Sequence, residues 1–108
     1  MTDLSFLSDL TATIESRKGQ DSDSSYVASL FNKGPAKMAQ KLGEEAVEAA
    51  IAAAQGDKDE LLSESADLMF HLMVLLASQD MTLADVTAKL QARHGTSGHT
   101  EKASRNRE

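Results

Sequence analysis

Two acidic groups carry the densest candidate chemistry in this 108-residue chain: Glu44, Glu45 and Glu48, and then Glu64 and Asp67. On a helix with Glu44 at zero, Lys37 falls at about 20°, Glu48 at about 40°, Lys41 at about 60° and Glu45 at about 100°. On a second helix with Glu64 at zero, Asp67 lies at about −60°, Glu60 at about −40° and His71 at about −20°. Glu48 and Glu64 each stand eight residues from Gly56, so a hairpin turning there sets both groups at similar depth. Facing carboxylates that leave water must be protonated, paired with Lys or Arg, or neutralised by a divalent cation. Lys37 and Lys41 are too few to neutralise five acids. Oxygen-only ligation suits Mg²⁺ or Mn²⁺, and a carboxylate-held Mg²⁺ commonly also binds substrate phosphates. The competing reading is a solvated charged face with Lys–Glu pairs worth tenths of a kcal/mol each.

The elements that must position these residues are legible from periodicity and caps. Leu4, Leu7, Leu10 and Ile14 recur at helical spacing and predict a first helix over Asp3 to Lys18, stopped by Gly19. Ser24 or Ser25 caps a short second helix carrying Tyr26, Val27, Leu30 and Phe31. The third runs from Pro35 to about Gln55 and ends at Gly56. Asp57 caps a fourth that continues to about Gln79, and Thr82 caps a fifth over Leu83 to Arg93. The expected fold is all-α, about five helices with a central antiparallel pair. The domain spans residues 1–94, with 95–108 as a flexible polar tail. Beyond Asp67 the fourth helix is apolar almost all round, from Leu68 to Leu76 apart from His71. Such a helix must be covered on every side. Four other modest helices can hardly do so, which predicts burial at a subunit interface in a homodimer.

Composition narrows the remaining classes. The chain has 16 Ala and 13 Leu against 4 Val and 2 Ile, which favours helix over strand. With no Cys, disulfide scaffolds, thiol catalysis and Cys-held metals are excluded. The net charge of −6 disfavours nonspecific nucleic-acid binding. The N-terminus lacks a basic segment followed by an apolar run, and the stretch Leu68 to Ala77 is too short to span a bilayer. No membrane partner and a cytoplasmic location are therefore expected. His71 has Leu68 rather than Glu three residues before it, so the di-iron Glu-x-x-His motif is missing. Neither a P-loop nor a Gly-x-Ser-x-Gly elbow is present.

Glu45-x-x-Glu48 followed after 15 residues by Glu64-x-x-Asp67 resembles the signature of the all-α nucleoside triphosphate pyrophosphohydrolases. The flanks narrow the resemblance. Ser25-Tyr26-x-Ala28-x-Leu30, Gly34-x-x-Lys37-x-x-Gln40-Lys41-x-Gly43-Glu44-Glu45-Ala46-x-Glu48 and Glu64-x-x-Asp67-Leu68-x-x-His71-Leu72 are similar to the phosphoribosyl-ATP pyrophosphohydrolase family of histidine biosynthesis. So are Arg93-His94-Gly95-Thr96-Ser97-Gly98 and Glu101-Lys102-Ala103-Ser104-Arg105.

The resemblance implies hydrolysis of 1-(5-phosphoribosyl)-ATP to 1-(5-phosphoribosyl)-AMP and pyrophosphate, with Mg²⁺ and a homodimeric or larger helical assembly. It implies a metal held by Glu45, Glu48, Glu64 and Asp67. Water made more acidic by the cation would attack the α-phosphorus. Glu44 or Glu45 would orient that water or take its proton. Lys37 and Lys41 would meet phosphate oxygens, unless they serve as salt bridges to Glu44 and Glu48. Arg17 and Arg93 would clamp phosphates, or act as helix-end cations. Asn32 and Lys33 are further candidates, and His71 either contacts phosphate or is a satisfied core histidine. The tail cations Lys102, Arg105 and Arg107 would order over bound substrate. The rivals are a house-cleaning hydrolase of dUTP, dCTP or a damaged nucleotide, and a non-catalytic helical dimer.

Overall fold

Pro35 opens and Gly56 closes the helix that the rest of the molecule is built around. A computed structural model describes residues 4–94. It contains α1 (Phe6–Ser16), a 3-10 turn (Ser22–Ser24), α2 (Tyr26–Lys33), α3 (Pro35–Ala54), α4 (Lys58–Ser78) and α5 (Leu83–Arg93). The described residues contain no strand, so the fold is all-α as expected. The tail expected over 95–108 and the expected start of the first helix at Asp3 lie outside the described residues. The first helix ends two residues sooner than expected. Arg17 caps it, and Gly19 at φ 80° lets the chain turn back.

Local chemistry explains each end. Ser25, not Ser24, caps α2: its hydroxyl accepts from the Ala28 N–H at 2.9 Å, while Ser24 turns back to Asp21 O and Gln20 Oε1. Gly56 at φ 71° ends α3, with Gly56 N–H bonding Ala53 O and Asp57 N–H bonding Ala52 O. This double bond pattern satisfies the last carbonyls of the helix. Asp57 then caps α4 by accepting from Glu60 N–H at 3.1 Å. A three-residue connection therefore ends one long helix and starts the next, and the two fold back as the most extensively packed pair. Asp80, at φ 59°, repeats the device at the end of α4, where Met81 N–H bonds Leu76 O. Lys18, just beyond α1, reaches this turn, 3.3 Å from Asp80 Oδ1. Thr82 and Asp85 form a reciprocal capping box that starts α5.

Ile14, Leu30, Met38, Met73, Val74 and Ala77 make the core. Burying each of the larger ones fully contributes about 1.5–3 kcal/mol. They join α1, α2, the start of α3 and the end of α4. Towards Gly56, only α3 and α4 cover each other, through the buried Ala49 and Ala52. Small side chains there let the helix axes approach.

α4 is only partly covered within one chain. Over an 18-residue window it is long and apolar enough, by length and composition, to cross a membrane, a reach that the Leu68–Ala77 stretch alone does not have. Only 22% of that window is buried, and Leu62, Met69 and Leu90 of α5 are exposed. No residue of α5 is buried. It stands off α1 and α4 across a groove of about 800 Å³ lined by Leu7, Met69, Leu72, Leu83, Val86 and Leu90.

A Cβ added at Gly56 would meet nothing within 4 Å, so substitution there is opposed by backbone conformation alone. Gly56→Ala is expected to cost about 1 kcal/mol, read from the midpoint shift in urea unfolding at unchanged slope.

Candidate active site

The hairpin brings Glu45 and Glu48 of α3 against Glu64 of α4. One carboxylate oxygen of each lies within 4.8 Å of the others. Glu45 and Glu64 are half-buried and Glu48 is exposed. Oε2 of Glu45 and Oε2 of Glu64 are buried and have no hydrogen-bond partner among the described residues. A groove of about 380 Å³ opens beside them, lined by Glu48, Ile51, Ala52, Gln55, Glu60 and Glu64.

Carboxylates this close repel unless something positive lies between them. With protons as the only cation, Glu64 takes one, and its pKa is pushed up to about 8. The contact with Glu45 is the largest cause, followed by Glu48, burial and Glu60. Glu60 therefore belongs to the cluster, although the sequence motif passes over it. Its position within 40° of Glu64 on the helical wheel is the signal that points to it.

The expectation of five facing acids is corrected in two places. Glu44 is exposed and turned to the flank, where Gln40 Nε2 donates to its Oε2 at 3.0 Å and Lys41 Nζ lies 3.7 Å from its Oε1. Gln40's hydrogen bond, with the charges of Lys41 and Lys37 against opposing burial, holds its carboxyl below the usual range. Asp67 is exposed and stands outside the close trio. The helical wheel gives the reason for Glu44: with Glu45 facing α4, Glu44 is about 100° away.

The other expected site residues are more scattered. Lys37 and Lys41 lie on the flank beside Glu44, one exposed and one half-buried. Arg17 caps α1, next to Lys18, whose bond to Asp80 ties that end beyond the last turn of α4. Glu64 lies about 21 Å of helix before Ser78, so within one chain Arg17 is at the far end from the trio. Arg93 is exposed in the last turn of α5. The Asn32 amide donates to Gln20 O and Ser22 Oγ, pinning the loop before α2.

His71 is 7% exposed, and both its ring nitrogens are engaged. Nδ1 lies 2.9 Å from Asp67 O and Nε2 lies 3.2 Å from Tyr26 Oη. A carbonyl only accepts, so Nδ1 donates to Asp67 O, while Nε2 shares a hydrogen bond with the tyrosine hydroxyl.

The trio suits a divalent cation on its own chemistry. Its donors are hard oxygens, and the two buried, unpartnered oxygens belong to different helices. A cation there would replace the proton on Glu64 and relieve the repulsion.

Fold and site together define a class: an all-α protein whose central helix pair carries a carboxylate cluster at its seam. Comparison with known proteins goes further. The family model for phosphoribosyl-ATP pyrophosphohydrolase matches residues 7–94. A phosphoribosyl-ATP pyrophosphatase of Jannaschia sp. (strain CCS1) is 58% identical over 92% of this chain and 97% of its own length. Proteins of the same name from Cereibacter sphaeroides and Ruegeria pomeroyi are 58% and 55% identical, each over 94% of this chain and 99% and 97% of their own lengths. The chain belongs to the phosphoribosyl-ATP pyrophosphohydrolase family.

The raised Glu64 pKa has a definite sign. The folded state keeps a proton that the unfolded carboxyl, at 4.5, has lost. That contribution to stability is full at low pH and is lost as pH rises through about 8. In EDTA, the melting temperature is expected to fall as pH rises from 4.5 to about 8 and to level off above it. Glu64→Gln should flatten that slope, and an identical slope in the variant would refute the assignment.

Proposed function

We propose that the chain hydrolyses 1-(5-phosphoribosyl)-ATP to 1-(5-phosphoribosyl)-AMP and pyrophosphate in histidine biosynthesis, with Mg²⁺ or Mn²⁺ as cofactor. The observation that carries this reading is the Glu45–Glu48–Glu64 trio with its two orphaned oxygens, in a chain matched by the family model almost end to end. Those three residues would hold the ion, with Asp67 as a fourth acidic ligand from one turn further along α4. The cation supplies neutralisation of the phosphates and acidification of water. Glu45, through the carboxylate oxygen not given to the ion, orients the attacking water and takes its proton as the water oxygen bonds the α-phosphorus and the anhydride bond to the leaving pyrophosphate breaks. Glu44 is a less suitable base, because Gln40 and Lys41 hold it on the flank. Lys37 and Lys41 receive phosphate oxygens, Lys41 exchanging its ion pair with Glu44 for one with substrate. Asn32 and His71 use their polar atoms within the chain, which supports positioning rather than phosphate contact.

The uncovered side of α4 and the apolar groove under α5 support a homodimer. A phosphate role for Arg17 requires the second copy, since its own trio is out of reach. The substrate is a small nucleotide, with no nucleic-acid or membrane partner, and the setting is cytoplasmic.

Pyrophosphate release from phosphoribosyl-ATP should require Mg²⁺, stop in EDTA, and far exceed release from dUTP, dCTP or ATP. Glu45→Gln, Glu48→Gln and Glu64→Gln should each lower kcat/KM by about 100-fold or more, and Glu44→Gln by less than about ten-fold. Turnover of a deoxynucleotide instead would discard the pathway. Sedimentation should return twice the 11.6 kDa chain mass, and Met69→Glu in the groove should shift it towards monomer. A monomeric wild type would overturn the assembly.

A further inference from the structure

Tyr26 is the chain's one tyrosine, and there is no tryptophan. The residue is 53% exposed, yet its ring is fixed. Its hydroxyl is bonded to His71 Nε2, Phe70 lies nearly parallel at 17° and 6.2 Å, and His71 packs edge-on to both rings. His71 is in turn buried and anchored through Nδ1 to Asp67 O. An exposed aromatic ring has therefore lost its rotamer freedom before any ligand arrives, which removes a cost that binding would otherwise carry. Phe6 is also exposed, but it begins α1 and belongs to no ring cluster among the described residues.

The position of this platform is set by α4. His71 follows Glu64 by seven residues, which is two turns on nearly the same face and about 10 Å along the axis. One face of α4 thus carries Glu64 of the trio and, two turns on, His71, to which the Tyr26 ring of α2 is bonded. A nucleotide with its phosphates at the trio reaches past its ribose by about two helical turns.

We propose that the Tyr26 ring is the stacking surface for the purine of the substrate and selects an N1-substituted adenine; this rests on the reading of phosphoribosyl-ATP as substrate. Substitution at N1 leaves the purine with a cationic amidine in place of a neutral ring. A phenol face attracts a flat cation by stacking and by cation–π attraction together. Unsubstituted adenine, uracil and cytosine offer only the neutral stack. His71 acts through Tyr26, as the positioning residue that holds the ring in place.

The single tyrosine makes the test direct, because intrinsic fluorescence reports on Tyr26 alone. Titrating wild-type protein in Mg²⁺ with 1-methyladenosine 5′-monophosphate should give saturable quenching, with AMP about ten-fold weaker or more. Absence of saturation, or equal affinity for AMP, overturns the proposal. In turnover, Tyr26→Leu should raise KM for phosphoribosyl-ATP by about ten-fold or more with little change in kcat. Tyr26→Phe keeps the ring and loses the bond to His71, so it should raise KM by less. An active wild type with KM unchanged in Tyr26→Leu overturns the platform and leaves the reaction standing. A wild type that releases no pyrophosphate from phosphoribosyl-ATP overturns the reaction, and the fluorescence titration still decides the platform.

Discussion

The structure depends on one electrostatic constraint: carboxylates from two helices meet at a seam that excludes water from two of their oxygens. Neither helix could hold this arrangement alone. α3 supplies Glu45 and Glu48, α4 supplies Glu64, and the three-residue connection at Gly56 leaves little freedom for the pair to slide or splay. The buried alanines at the seam remove the bulk that would keep the backbones apart. The apolar core lies at the other end of the pair, where α1 and α2 clamp it. Apolar burial there offsets charge crowding nearer the turn, so stabilising contacts and functional strain occupy different halves of one hairpin.

This division explains what the sequence made legible. Helix ends were readable because single residues set them: Ser25, Pro35, Gly56, Asp57 and Thr82 each act through a local bond or a backbone angle. The antiparallel pairing followed from the short connection. The acidic seam was readable as a stripe, but a helical wheel does not fix the rotation of one helix against its neighbour. Glu44 and Asp67 were therefore placed in the cluster, whereas the packed pair turns Glu44 to its flank and leaves Asp67 outside the close trio. Glu60 falls outside the motif, although the helical wheel sets it within about 40° of Glu64. The bond between Tyr26 and His71 joins residues 45 positions apart, and no local pattern announces it.

Among the described residues, Leu62 and Met69 of α4 are exposed and Leu68, Leu72, Leu75 and Leu76 are only half-buried, although composition alone would assign such a helix to an interior. Its two ends have opposite solvation needs. The acidic end must remain open to a polyanion and its counter-ion, while the apolar end needs cover. The proposed homodimer meets both needs, leaving the acidic end open and covering the apolar end.

The hairpin also has a kinetic consequence. Its contacts join residues that are close in sequence, with Gly56 at the centre, so loop closure costs little and this unit forms early. The carboxylates of Glu45 and Glu64 then approach while α1 is still being recruited to the core. Their repulsion falls on the folding barrier rather than on the rate of unfolding. Whatever neutralises Glu64, a proton or a cation, accordingly speeds chain collapse as well as preparing the site.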